Sequence, residues 1–381
     1  MKINVIGAAT TKFGELWDMS PRALAREAMT NALLDAKTSV KKIDALFVGN
    51  MLSGILANQA NLGSLFAEEL GIFVPAFRME GACASGGLAL HNAINSINGG
   101  QFKTAMVLGV EKMTDYSGDE VTSGLMAAGS DDERQAGVTF PGIYALMARA
   151  YMQEFGVTEE DLAGVSVKNH YHGSLNPRAQ YQKTVTVEDV MKSTRIADPL
   201  KLLDCSPISD GASAIVITGE KVENGRKPVT ITASEVATDT LSLHNRDSFT
   251  TLNSVVEASQ KAYKKTGLKP SDIDVVEIHD CFSIAEAIAT EDLGFSKRGQ
   301  GAKDIAKGKY TLNTGKIITN PSGGLKACGH PVGATGIKQV VELTEQLRRK
   351  ATGRQVKNAR IGLTHNVGGS GAVAVVHILQ V

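Results

Sequence analysis

Cysteine, aromatic residues and long apolar runs are all scarce in this chain of 381 residues. The four cysteines never form a Cys-x-x-Cys pair, which argues against a zinc site and against a disulfide framework. No apolar run approaches the roughly 18 residues that a membrane helix needs. The start of the sequence is too soon interrupted by polar residues to be a secretory signal. We therefore expect a cytoplasmic protein that does not enter a membrane.

Net charge is also absent, because Lys+Arg and Asp+Glu both total 40. This balance argues against a dedicated nucleic-acid-binding protein. Glycine, by contrast, is abundant at 39 residues, which indicates tight turns and close packing of small residues. The length suggests two or three domains, or one large body with an internal repeat.

The first 110 residues alternate between apolar strand patterns and amphipathic helix patterns. This alternation favours an α/β fold with a mostly parallel sheet and helices on its faces. We predict strands at residues 3–8, Ile43–Val48 and Ala105–Val110, and helices after Ser20 and over Asn58–Leu70. Residues 114–206 lack regular strand spacing, and we interpret them as an insertion over one end of the sheet. A strand within Ser209–Thr218 would rejoin that sheet.

The second half of the chain repeats the first. Ala23–Asp44 aligns without a gap on Asn253–Asp274, and in both copies a helix is followed by Ile-Asp and an apolar strand. The strands are Ala45–Val48 and Val275–Ile278. Such a duplication predicts two similar α/β domains packed face to face.

A cysteine turn, Gly81-Ala82-Cys83-Ala84-Ser85-Gly86-Gly87, lies between an extended segment and a helical pattern. Unpaired backbone N–H groups at a helix N-terminus favour a thiolate, so Cys83 could be nucleophilic near neutral pH. A buried structural cysteine in a tightly packed turn is the alternative.

Three further segments of the second half fit loops at strand ends, where sites collect in α/β sheets. They are His279-Asp280-Cys281-Phe282, Gly329-His330-Pro331-Val332-Gly333-Ala334-Thr335-Gly336, and Asn366-Val367-Gly368-Gly369-Ser370-Gly371. Each has a structural alternative: a strand-end histidine at 279, a core thiol at 281 and a helix cap at 330. Cys328 and His330 lack further ligands spaced to complete a tetrahedral metal site.

In this order, these four segments make the chain resemble the thiolase superfamily over essentially its whole length. It is most similar to the archaeal-type and sterol-carrier-protein-type thiolases. The resemblance implies a layered αβαβα fold of two pseudo-repeated mixed-sheet domains. They would span residues 1–225, with the loop insertion at about 114–206, and residues 226–381.

The resemblance also implies roles for individual residues. Cys83 matches the acyl-accepting nucleophile, and His330 matches the histidine that activates it. Asn366 stands where other thiolases have a second cysteine, and Cys281 would supply that acid/base thiol from another loop. His279 would help to stabilise an oxyanion, and Gly368 matches the glycine whose N–H pairs with that of Cys83. With Asn366, it completes the predicted oxyanion and substrate-binding set.

The implied reaction is a reversible Claisen condensation of two acyl-CoA molecules, most simply two acetyl-CoA, as in the mevalonate pathway. Two other functions stay open. In a decarboxylating ketoacyl synthase, Cys83, His330 and His279 would act without Cys281. In a non-catalytic lipid- or CoA-binding scaffold, none of them would react.

No separate cofactor or metal is implied, because CoA thioesters enter as substrates. The resemblance implies a homodimer or homotetramer. Archaeal-type relatives can also assemble with a small zinc-ribbon/OB-fold protein and a 3-hydroxy-3-methylglutaryl-CoA synthase. His170 and His172, in the inserted region, are candidates for lining the acyl pocket, with exposed loop positions as the alternative.

Overall fold

The computed structural model describes residues 2–222 and 228–381. The predicted domain boundary at 225/226 lies outside these described residues. The strands are β1 Ile3–Thr10, β2 Ala45–Gly49, β3 Ala76–Met79, β4 Thr104–Glu111, β5 Arg195–Ala197, β6 Leu200–Lys201, β7 Gly211–Thr218, β8 Val229–Thr238, β9 Val275–Glu277, β10 Ile318–Thr319, β11 Ile361–Gly368 and β12 Val373–Gln380.

Helices fill most of the connections between these strands. They are α1 Pro21–Ala36, α2 Leu62–Leu70, α3 Ser85–Asn98, α4 Gly118–Met126, α5 Asp131–Gln135, α6 Phe140–Phe155, α7 Glu159–Ser174, α8 Val187–Lys192, α9 Asn253–Thr266, α10 Ser283–Asp292, α11 Gly301–Ala306, α12 Gly324–Cys328 and α13 Val332–Leu347. Short 3₁₀ turns cover Val40–Lys42, Leu202–Asp204, Leu243–Asn245 and Pro270–Asp272.

The predicted internal repeat is present in the strand order. The N-terminal half runs β3-β2-β4-β7-β1, and the C-terminal half runs β10-β9-β11-β12-β8. In both halves the first three strands of that order are parallel, and the last two pair antiparallel. The strand pairing in both halves is therefore mixed, as the family resemblance implied, rather than mostly parallel.

The two halves face each other across the central helices α3 and α13, which pack on strands of both halves. They are also joined edge to edge, because β1 pairs with β8 through Ile3↔Ile231 and Val5↔Val229. This link produces one ten-stranded sheet, which the sequence pattern did not predict. All of α13 except Glu345 is buried, as expected for a helix in a central layer.

Some predicted boundaries differ from those observed. The helix predicted over Asn58–Leu70 begins only at Leu62, because Asn58 and Asn61 have φ angles of 53° and 54° and cannot continue a right-handed helix. The inserted region contains α4 to α8 and the β5–β6 hairpin, and its α7 packs against α11 and α12 of the C-terminal half. Among the described residues, no helix has the length and apolarity required to cross a membrane.

Candidate active site

Cys83 lies in a turn that ends one residue before α3. Ala82 has a φ of 52°, a left-handed conformation that is uncommon for a residue with a side chain. The Ser85 hydroxyl donates to the Ala82 carbonyl at 2.6 Å and accepts the Gly81 N–H at 3.1 Å. These bonds hold the turn and place the thiol at the junction of β3 and α3.

The surroundings of Cys83 raise the pKa of its thiol, whereas the sequence predicted a lowered one. Burial raises the pKa of Cys83 far above its ordinary value, and the nearby Cys281 and Glu111 raise it further. Only the backbone N–H groups of Gly369 and of Cys83 itself act in the other direction. Desolvation outweighs the helix N-terminus here, so Cys83 is a neutral thiol that needs a base.

Glycines bring Cys83 and His330, which belong to different halves of the chain, close together. A Cβ on Gly86 of α3 would lie 2.7 Å from the Gly333 carbonyl, and a Cβ on Gly336 of α13 would lie 2.4 Å from the Gly87 nitrogen. Real Cβ atoms do not make such contacts, so the first turns of α3 and α13 can cross this closely only as glycine. Because Cys83 and His330 immediately precede these turns, the crossing places them side by side.

His330 is the candidate base for Cys83. One ligand atom from each of Cys83, His279 and His330 lies within 4.8 Å of the other two. Burial, and then Lys338, lower the pKa of His330 to about 3, so the ring is neutral at physiological pH. Its Nδ1 lies 2.7 Å from the Thr335 hydroxyl, which also donates to the Pro331 carbonyl at 3.1 Å. With that donation made, Nδ1–H is the donor in the shorter contact, and Nε2 is free to accept a proton.

His279 lies beside His330, with ring centroids 5.0 Å apart and ring planes at 84°. It follows β9, and its backbone N–H donates to Nδ1 of His365 at 3.2 Å. Burial lowers its pKa well below the usual range, and His330, His365 and Lys338 lower it further. Both histidines near Cys83 are therefore uncharged at physiological pH.

Asp280 anchors the segment that carries His279 and Cys281. Its carboxylate accepts the Leu325 N–H at 2.6 Å and the Asn169 amide at 2.6 Å. The carboxylate is fully buried, which raises its pKa to about 6, with a further contribution from Glu286. The residue between the two candidate site residues therefore ties their loop to α7 and to the start of α12.

Cys281 lies in the same pocket as Cys83. Burial raises its pKa to about 12, and the Tyr144 hydroxyl lowers it. Tyr144 also donates to the Gly369 carbonyl at 3.2 Å and stacks on Phe282 with centroids 4.6 Å apart. Tyr144 thus touches the surroundings of both thiols. Sequence reasoning missed it, because α6 lies in the inserted region and carries no motif.

The pocket has a volume of about 220 Å³ and is lined mainly by apolar side chains. Both candidate thiols and His330 line it, together with Tyr144 and Cys205. Cys205 had no role in the sequence prediction. Burial raises its pKa to about 11, so it too is a neutral thiol. A small apolar pocket of this kind suits a short acyl chain.

Gly368 and Asn366, the two residues predicted from the last motif, have different neighbours in the structure. The N–H that acts on the Cys83 thiol belongs to Gly369, one residue after the predicted Gly368. A Cβ on Gly368 would lie 2.2 Å from the Gly81 carbonyl, so this glycine lets β11 approach the cysteine turn. Asn366 is fully buried, and its amide binds the Gly87 N–H and the Cys83 carbonyl.

His170 and His172 do not line the pocket. His172 contacts the Asn320 carbonyl through Nδ1 and accepts the Leu312 N–H through Nε2, both at 3.0 Å. His170 stacks on Tyr181 and contacts the Lys183 carbonyl. Both are buried structural histidines of α7, and burial lowers the pKa of each. Both interpretations from the sequence, pocket-lining residues and exposed loop positions, were therefore wrong.

Known proteins resemble the chain over both halves. The Thiolase, N-terminal domain family matches residues 3–221, and the Thiolase C-terminal domain-like family matches residues 235–381. The chain belongs to the thiolase family. It is 48% identical to an acetyl-CoA acetyltransferase of Methanothermobacter thermautotrophicus over 99% of both chains.

A second acetyl-CoA acetyltransferase, of Methanocaldococcus jannaschii, is 45% identical over 99% of this chain and 98% of that protein. Among solved structures, the Ltp2-ChsH2(DUF35) aldolase superposes with a TM-score of 0.84 at 24% identity. That match covers 100% of this thiolase and 97% of the solved chain, and it supports the fold alone.

Proposed function

We propose that this thiolase is an acetyl-CoA acetyltransferase that condenses two acetyl-CoA molecules to acetoacetyl-CoA and CoA, reversibly, through an acyl-Cys83 intermediate. Claisen condensation is the thiolase reaction, and the full-length identity to two acetyl-CoA acetyltransferases supports the acetyl substrate. The observation that carries the proposal is one small pocket lined by Cys83, Cys281 and His330, with His279 beside them.

The first half-reaction loads Cys83. His330 takes the thiol proton, and the sulfur attacks the thioester carbonyl of acetyl-CoA. The CoA thiolate leaves and takes that proton from His330. Donors near the developing oxyanion are the N–H groups at the cysteine turn and Gly369. One such donor is worth roughly 10²–10³ in rate.

The second half-reaction makes the carbon–carbon bond. Cys281 passes its proton to His330 and, as a thiolate, removes a proton from the methyl group of a second acetyl-CoA. The enolate attacks the acetyl carbon on Cys83, and the Cys83 sulfur leaves and takes the proton from His330. Cys83, Cys281 and His330 all return to their starting state. Side chains supply each step, so we propose that no separate cofactor takes part.

Two alternatives are separated by the surroundings of Cys281. A decarboxylating ketoacyl synthase would not need this thiol, yet it lines the pocket and the Tyr144 hydroxyl lowers its pKa. A non-catalytic scaffold would not need His330 beside Cys83. Acetoacetyl-CoA thiolysis measured against malonyl-CoA condensation distinguishes the first alternative, and the rate of Cys83 alkylation distinguishes the second.

The main test is direct acylation. Incubation with acetyl-CoA, followed by intact-mass and peptide analysis, should find one acetyl group on Cys83, and the Cys83→Ala variant should carry none. Acetoacetyl-CoA should form in the same mixture with wild-type protein. Absence of the adduct and of the product would contradict the proposal.

We further propose a homodimer formed through β3. This strand is an edge of the ten-stranded sheet; Phe77 within it is 39% exposed, and Phe73 just before it is 95% exposed. An uncovered edge strand with apolar side chains is a natural pairing surface. A homotetramer would require a second contact between such dimers.

Other expectations from the resemblance stay proposals. Association with a zinc-ribbon/OB-fold protein and a 3-hydroxy-3-methylglutaryl-CoA synthase, as well as a place in the mevalonate pathway, can be tested by co-purification. Cytoplasmic location is supported by four free cysteines, which suit a reducing compartment.

A further inference from the structure

The orientation of the Asn366 side-chain amide is determined by two backbone groups of the cysteine turn and α3. The Gly87 N–H can only donate, and it lies 3.2 Å from Oδ1. The Cys83 carbonyl can only accept, and it lies 2.9 Å from Nδ2. An amide rotated by 180° would lose both hydrogen bonds, so Oδ1 faces Gly87 and Nδ2 faces Cys83.

Two glycines leave the space that the Asn366 amide occupies. A Cβ on Gly87 would lie 2.9 Å from Oδ1 of Asn366, and a Cβ on Gly336 would lie 2.3 Å from it. Glycines of both central helices therefore leave room for the oxygen. Asn366 itself is fully buried on β11, so no solvent competes for its hydrogen bonds.

The remaining contact of Nδ2 is with the ring of His279. Nδ2 lies 3.3 Å from Nδ1 of His279, and an amide nitrogen can only donate. Nδ1 must therefore be the unprotonated nitrogen, and in a neutral ring the proton is then on Nε2. Nε2 of His279 is buried and has no hydrogen-bond partner among the described residues.

We infer that Asn366 is a positioning residue that fixes His279 in the Nε2–H form, as a hydrogen-bond donor to the thioester oxygen bound beside Cys83. The inference rests on the proposed function, because it assigns the unpartnered N–H to an oxygen of that substrate. It also gives the asparagine a purpose at the place where other thiolases have a second cysteine. A thiol could not donate to both the Cys83 carbonyl and His279 while accepting from Gly87.

The wild-type protein tests the inference first. Histidine labelled with ¹⁵N distinguishes the two ring tautomers by chemical shift, and the His279→Gln variant identifies the signal of His279. We expect the Nε2–H form in the wild type. An Nδ1–H form, or a charged ring at pH 7, would overturn the inference whether or not the protein is active.

The Asn366→Asp variant tests the consequence. A carboxylate keeps the shape but can only accept, so it should pull the proton of His279 to Nδ1. We expect kcat to fall roughly 10²-fold, the loss expected for one oxyanion donor, with a much smaller change in KM. In a His279→Gln background, where a side-chain amide donates without tautomers, the same substitution should cost under about tenfold. Equal losses in both backgrounds would contradict the inference.

Asn176→Asp is the matched control. Asn176 is a buried asparagine that donates to the Ser322 carbonyl at 2.9 Å, and it does not contact His279. Its variant should lower stability without changing the His279 signal, and a changed signal would count against a specific role for Asn366. A wild-type protein with the Nε2–H form but without thiolase activity would refute the proposed function and leave the tautomer assignment standing.

Discussion

The two halves of the chain have the same strand order, yet the residues that follow equivalent strands make different contacts. After β2, Asn50 donates to Glu111 at 2.7 Å, and Glu111 also accepts the Met51, Leu52 and Gly333 N–H groups. After β9, the equivalent loop instead places His279 and Cys281 close to Cys83. In the N-terminal half, the residues at the strand ends bind one another through Glu111. In the C-terminal half, the residues at the strand ends form part of the candidate active site.

The edges of the sheet show the same contrast. The edge strand β10 is buried, and Lys168 of α7 binds the Thr319 hydroxyl at 2.9 Å and Glu286 at 2.6 Å. The equivalent strand β3 is partly exposed, with Phe77 at its surface. The insertion therefore covers the β10 edge of the sheet and leaves the β3 edge open, which is the edge that we propose for pairing with a second copy.

Removing the thiol of the C-terminal half should have the largest effect. We expect Cys281→Ala to lower condensation and thiolysis by about 10²–10⁴-fold, the usual contribution of a general base, while acetyl-CoA still acylates Cys83. Met51, at the equivalent place in the N-terminal half, is the control. It packs near the cysteine turn, so Met51→Ala should lower stability and affect acylation and condensation alike. A Cys281→Ala variant with full non-decarboxylative condensation would show that another group is the base.

The Tyr144 hydroxyl should have a smaller effect. Tyr144→Phe keeps the stack on Phe282 but loses the contacts with Cys281 and Gly369, and one hydrogen bond is worth about 1 kcal/mol. We expect kcat to fall roughly fivefold and the pKa of Cys281 to rise in the pH–rate profile. Tyr151→Phe removes another buried hydroxyl of α6, which binds Glu291 away from the pocket. If both variants lose the same activity, the effect is structural.

The hydrogen-bonded cluster around Glu111 in the N-terminal half should make the stability of the protein depend on pH. Burial raises the pKa of Glu111 from its ordinary value of 4.5 to about 7, so the folded state holds this proton more tightly than the unfolded state. The stability that the protonated Glu111 carboxyl contributes is fully present below pH 4.5 and is lost as the pH rises through about 7. We therefore expect the free energy of unfolding, measured in urea, to be higher in the wild type than in Glu111→Gln by a smaller margin at pH 7 than at pH 5. A constant difference would contradict the raised pKa.

The exposed edge should matter least for chemistry within one chain. Phe77→Lys places a charge on β3, which disfavours pairing with a second copy. We expect light scattering to show a smaller particle than wild type, with Cys83 acylation within about threefold, because the described pocket lies within one chain. Phe102→Lys, at a neighbouring half-buried ring, controls for general damage. An unchanged particle size would exclude β3 as the interface.

Much of this site could be predicted from the residues together with the family resemblance. The repeat of Ala23–Asp44 at Asn253–Asp274 indicated two similar halves, and the strand order confirms it. The motif residues Cys83, His279, Cys281 and His330 were named from short segments, and the fold brings them together. Tyr144 could not be found in this way, since its partner is the Gly369 carbonyl, 225 residues along the chain.

The sequence by itself determined which elements form and which reactive side chains stand at their ends, because periodicity, glycine positions and motifs are local properties. Only the tertiary structure decided the protonation states of those side chains. The pKa of Cys83 rises and that of His330 falls because packing removes water from both, and the orientation of the Asn366 amide depends on backbone groups from α3 and the cysteine turn. Desolvation and hydrogen-bond direction are set by neighbours distant in the chain, so no local pattern contains them.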